Sequence, residues 1–132
     1  MNGTIDQDKL FNFLWSIDEA LERCQIPYVV LGQTAFDLKH NLPLTTTRVM
    51  LGVLERYNVR ELTSMIPIVM PTAERTTDGW IVHENGYSIS IKFLTKKYPT
   101  LLDPDLCVYK HWRFMIPNPF EEYWALANKY DL

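Results

Sequence analysis

Apolar residues recur at helical spacing between Asp6 and Cys24, where Leu10, Leu14, Ile17 and Leu21 form one stripe. Phe11, Trp15 and Ala20 widen it, and Asp18, Glu19, Glu22 and Arg23 take the opposite side, so the segment predicts an amphipathic helix. Pro27 forbids its continuation. Tyr28-Val29-Val30-Leu31 is apolar without alternation, the pattern of a buried strand, and Gly32 closes it. Gln33 to His40 then predicts a short helix with Ala35, Phe36 and Leu38 turned inward.

A run of threonines leads into a second strand, Arg48 to Leu54, because β-branched residues favour extended backbone. Asn58 suits the cap of a helix over Val59 to Met65, and Ile68-Val69-Met70, flanked by Pro67 and Pro71, suggests a short strand. Trp80–Glu84 and Tyr87–Phe93 flank Asn85-Gly86, the strongest short signal for a hairpin, since both turn positions need positive φ. In the second arm Ile89, Ile91 and Phe93 share one face, and Ser88, Ser90 and Lys92 the other. Cys107 to Ile116 reads as extended. Pro119 suits the first turn of a last helix, Phe120 to Lys129, capped by Asn118. This order predicts an α/β (α+β) fold in one domain spanning residues 1–132, a mixed sheet with helices packed on one face.

Composition narrows the function. A chain of 132 residues, 47% apolar and 22% charged, can bury one core without disulfides. A net charge of −3 argues against a nucleic-acid binder, which ordinarily carries a basic excess. No apolar run approaches the roughly 18 residues of a membrane span, and the first residues lack the basic and apolar regions of a signal peptide. Cys24 and Cys107 have no metal-ligand spacing and read as two reduced thiols, so the expected location is cytoplasmic.

The order of these elements, with Gly32-Gln33-Thr34-Ala35 at the first strand's end and Thr46-Thr47-Arg48-Val49-Met50-Leu51-Gly52-Val53 on the second, resembles the minimal nucleotidyltransferase superfamily from Asp6 to Lys129. The segment Pro117-Asn118-Pro119-Phe120-Glu121-Glu122 is similar to the last-helix start in small bacterial members linked to toxin–antitoxin modules. The resemblance implies a turn at Gly32 whose backbone N–H groups receive nucleotide phosphates, although Gln33 crowds it. It also implies three carboxylates that hold metal ions, two on the Thr-led strand and one on the hairpin arm. Arg48, Met50 and Ser90 stand at those positions. Two-metal phosphoryl transfer needs anionic oxygens around Mg²⁺. Met offers a soft sulfur, Arg repels the ion, and Ser supplies one neutral oxygen. A shift of register by one residue brings Thr47, Val49 or Leu51, again no carboxylate.

The expectation is therefore a pseudoenzyme with a degenerate site, having no catalytic residue, metal or cofactor. Its vestigial pocket would comprise Gly32, Gln33 and Thr34 at the turn, Thr47, Arg48 and Met50 on the strand, and Ser90 and Lys92 on the hairpin. It would take a small anion or nucleotide, or serve a protein partner or a second copy, with no membrane or nucleic acid involved. Blander readings stand beside these: Gly32 as an ordinary turn, Arg48 as a solvated or salt-bridged strand residue, Met50 as an apolar plug, and Ser90 and Lys92 as solvent-facing alternation. Two alternatives of other classes remain. One is an active transferase of metal-poor chemistry, drawing on Glu55, Glu74, Asp78 and Glu84. The other is a structural, antitoxin-like interaction protein, for which the aromatic cluster Tyr109, Trp112, Phe114, Phe120, Tyr123 and Trp124 would offer a surface.

Overall fold

The structure, a computed structural model, describes residues 5–53, 59–93, 105–109 and 112–130. Helix α1 (Gln7–Arg23) starts where the Asp6 carboxylate accepts a hydrogen bond from the Lys9 amide at 3.2 Å, and Asp8 and Arg23 complement its dipole at the two ends. Its stripe from Leu10 to Leu21 is buried. Strand β1 (Tyr28–Leu31) runs directly into helix α2 (Gly32–Lys39). Strand β2 (Arg48–Val53) follows, then helix α3 (Val59–Val69) and strands β3 (Glu74–Thr76), β4 (Gly79–Glu84) and β5 (Tyr87–Phe93). A separate hairpin of β6 (Asp105–Tyr109) and β7 (Trp112–Ile116) precedes helix α4 (Phe120–Tyr130).

The main sheet has the order β1-β2-β5-β4-β3 and is mixed: β2 and β5 are parallel, and its other neighbours are antiparallel. Strand alternation divides its faces. Val49, Leu51 and Val53 of β2 lie beside Ile89, Ile91 and Phe93 of β5, and Trp80 and Val82 of β4 continue that apolar face into the core. The other face carries Arg48, Met50, Ser88, Ser90, Lys92, Ile81 and His83. Thus the predicted α+β class and mixed sheet hold, and so does the hairpin, with Asn85 at φ 52° and Gly86 at φ 85°.

The structure corrects several element assignments. Ile68-Val69-Met70 is not a strand. α3 runs through Pro67 to Val69, and the Met70 amide bonds the Ile66 carbonyl at 2.8 Å. Ile66 and Met70 are buried one helical turn apart while Ile68 is 78% exposed, so the 3.6-residue period prevails over the two prolines. Strand β3 went unpredicted because Glu74-Arg75-Thr76 has no apolar alternation. Its order comes from pairing with β4 and from Arg75, whose guanidinium lies 4.7 Å from the Trp80 ring centre. The extended segment ending at Ile116 is a hairpin that begins at Asp105. At α4 the Tyr123 amide bonds the carbonyl of Pro119, so Pro119, and not Asn118, occupies the cap position. Leu54 and Asn58 lie outside the described residues.

Candidate functional site

The end of β1, the start of β2 and the middle of β5 meet in one register: Leu31 pairs with Met50, and Met50 with Ser90. Gly32, at φ 67°, makes the turn from β1 into α2, a backbone conformation that costs glycine little. A side chain there would meet the Met50 methyl at 3.9 Å from its Cβ. Arg48, two residues before Met50, projects to the same side and pairs with Ser88. The strand register thus brings Arg48, Met50 and Ser90 to one side of the sheet, with Met50 beside Gly32.

The turn itself is already engaged. The Gly32 amide donates to the Tyr123 hydroxyl at 2.6 Å, from a residue 91 positions away on α4. Phe120 and Tyr123 are buried, and Phe36 of α2 lies 4.9 Å from Trp124 between ring centres, so α4 seals the N-terminal end of α2. The aromatic set of α4 therefore serves packing in large part.

Other expected site residues have structural employment. Thr34 is 1% exposed on the inner side of α2, and its hydroxyl has no partner among the described residues. The Gln33 side chain donates to Asp37 at 3.0 Å. Lys92 pairs with Asp78 at 3.9 Å in an exposed contact that contributes little to stability. The Thr47 carbonyl accepts the Ser88 amide at 2.9 Å and ties β2 to β5 at their first residues.

Asp37 was missed as a site-shaping residue. It is 1% exposed and accepts from Gln33, from the Thr45 amide at 3.0 Å and from the Thr45 hydroxyl at 2.8 Å. With Gln7, which bonds both the amide and the carbonyl of Leu44, it fixes the loop that delivers β2 to the site. An Asp one helical turn after Gln33 was the available signal.

The open face of the sheet carries a cleft of about 400 Å³ at the first residues of β2 and β5, lined by Thr47, Arg48, Ser88 and the hairpin residues His83 to Tyr87. Cross-strand pairing places Arg48 beside Ser88 and Ser88 beside His83. This row was not anticipated, because His83 had no motif around it.

At the three positions where the resemblance implies metal ligands, the donors are a guanidinium, a thioether and a hydroxyl, a set that does not fit a catalytic metal. Among the described residues no three His, Cys, Asp or Glu side chains converge on a point where an ion would sit. Glu74, Asp78 and Glu84 lie on β3, on the turn after it and at the end of β4, and Glu55 lies outside the described residues. Cys107 donates to the Leu38 carbonyl at 3.2 Å, and burial pushes its thiol up, with Asp105 adding to the shift against Lys39. That setting is the reverse of an activated thiolate.

Two solved structures of ANT(2'')-Ia, an aminoglycoside nucleotidyltransferase, resemble the chain. One, a solution structure of this antibiotic-resistance factor, superposes with a TM-score of 0.68 at 11% identity over 94% of this chain and 75% of that one. The other, a crystal structure in complex with adenylyl-2''-tobramycin, gives 0.64 at 11% identity over 92% and 78%. No protein-family model and no curated protein sequence matches the chain. The chain has a nucleotidyltransferase-like fold.

Proposed function

We propose that this chain is a non-catalytic nucleotidyltransferase-like domain that acts by binding a small anionic ligand, without a divalent metal. The observation that carries this reading is the Leu31–Met50–Ser90 register, with the Met50 methyl against Gly32 where the resemblance implies anionic metal ligands. Phosphoryl transfer in this frame rests on metal ions that neutralise phosphate charge and activate the attacking hydroxyl. A thioether, a guanidinium and a hydroxyl provide neither function. The guanidinium does supply a permanent positive charge and a planar fork for an oxyanion.

Two assays test the reading. Incubation with labelled nucleoside triphosphates, Mg²⁺ or Mn²⁺, and hydroxyl acceptors, aminoglycosides among them because of the neighbour's adenylyl-tobramycin complex, should transfer no label. Thermal-shift measurements should find stabilisation by anions that is indifferent to added metal. Metal-dependent label transfer would overturn the proposal in favour of an active enzyme whose ligands lie elsewhere.

A further inference from the structure

Three side chains on adjacent strands stand in one row across the open face. Arg48 of β2 pairs with Ser88 of β5, which pairs with His83 of β4. Neighbouring strands lie about 4.8 Å apart, so the row spans about 10 Å with the hydroxyl at its centre. The row lines the cleft of about 400 Å³, near the lower end of the roughly 300–1,000 Å³ of small-molecule sites. Among the described residues none of the three side chains has a partner in the protein, so their hydrogen-bonding capacity faces the cleft and solvent.

We infer that this row is a metal-independent site for a phosphate group, either free or as a small phosphomonoester. The inference rests on the anion-binding reading above and moves its locus from the Gly32 turn to the hairpin end of the sheet. The turn is a poor receiver, because Tyr123 already accepts its amide hydrogen. Arg48 provides the fixed charge and a two-pronged donor suited to phosphate oxygens. Ser88 and His83 provide donors from two further directions, which a tetrahedral oxyanion can use together and a planar carboxylate cannot use as fully. Glu84 also lines the cleft, but it stands on the opposite strand face from the row. Glu84 pairs with Tyr87, and alternation directs both away from the face of His83 and Ser88, consistent with the Tyr87 hydroxyl accepting the Asp6 amide at 2.9 Å.

Amide-resolved NMR titration of the intact chain tests this, with inorganic phosphate and with AMP, in chelator and at ionic strength held constant with chloride. Saturable shifts should centre on Thr47, Arg48, His83, Gly86 and Ser88. Arg48→Ala should weaken phosphate binding about tenfold and Ser88→Ala by about threefold, with both spectra otherwise native because these positions are not in the core. Lys9→Ala, which removes the same charge from α1, should leave the affinity unchanged. Saturation by both probes assigns the site to the phosphate group itself. Tighter saturation by AMP that Arg48→Ala still weakens about tenfold supports the same row, with the nucleoside as an added contact. Shifts centred on Gly32 and Gln33 would overturn the row yet keep anion binding as the domain's role. No saturable shift with either probe would overturn both.

Discussion

Asp37 receives three hydrogen bonds while almost wholly out of contact with water, and two of them come from Thr45. Such a carboxylate organises the loop before β2 only while its donors remain satisfied. Asp37→Ala would leave the Thr45 amide and hydroxyl without their acceptor and should destabilise the fold by about 2–3 kcal/mol in urea unfolding. A loss within a few tenths of wild type would mean that the loop is held by Gln7 alone. Tyr28 makes a second prediction at this scale. Burial, reinforced by its hydrogen bond to Asp18 at 2.5 Å and by the charges of Asp18 and Glu22, holds its phenol well above the usual tyrosine range. Above about pH 10 the unfolded chain releases a proton that the native state keeps, so stability falls as pH rises; below that value the contribution is fully present. Stability measured across the alkaline limb should therefore decline less steeply in Tyr28→Phe. Neither residue was recognised in the sequence. A buried polar group is defined by what surrounds it, and Thr45 and Asp18 become its partners only once loop and helix are in place.

At the scale of elements, short-range signals were reliable wherever the local pattern alone decides the outcome. The Asn85-Gly86 turn fixed the β4–β5 register, and with it the side on which Ser90 lies. The strand limits of β1 followed from an unbroken apolar run, and the span of α1 from apolar residues at helical spacing. The sequence misled where tertiary contacts dominate: α3 continues past its proline because Ile66 and Met70 reach the core, and β3 forms from polar residues that pair with β4. The pairing of β4 with β5 depends on Gly79, at the start of β4. A Cβ there would lie 1.7 Å from the Ile91 carbonyl oxygen, a clash with the neighbouring strand's backbone that no rotamer relieves. Gly79→Ala should cost about 3 kcal/mol or more, or prevent folding. Circular dichroism melting checks it, and a variant melting close to wild type would show that β4 can slide on β5 without loss.

For the molecule as a whole, the juxtaposition of Gly32, Arg48, Met50 and Ser90 was legible because strand periodicity and the Gly turn fix it locally. The closure of that turn by Tyr123 was not, since the two residues stand 91 positions apart. The same geometry defines the most demanding test of the degenerate site. Met50 and Ser90 are direct neighbours on parallel strands and Arg48 is two residues along, so replacing all three by Asp would set three carboxylates within about 7 Å of one another. Like charges so close repel, which raises the proton affinity of the set and destabilises the apo fold. A divalent cation that binds the folded variant and not the unfolded chain would recover stability in proportion to the logarithm of its concentration above Kd. The triple variant should therefore melt below wild type in chelator and regain part of that loss with millimolar Mg²⁺ or Mn²⁺, while wild type is indifferent, its Arg48 opposing any cation there. Catalysis need not return, because orientation of metal ligands depends on the groups around them, and the Gly32 amide at this turn is already taken by the Tyr123 hydroxyl. Metal stabilisation of wild type equal to that of the variant would place the ion's ligands outside this register and remove the basis for calling the site dismantled.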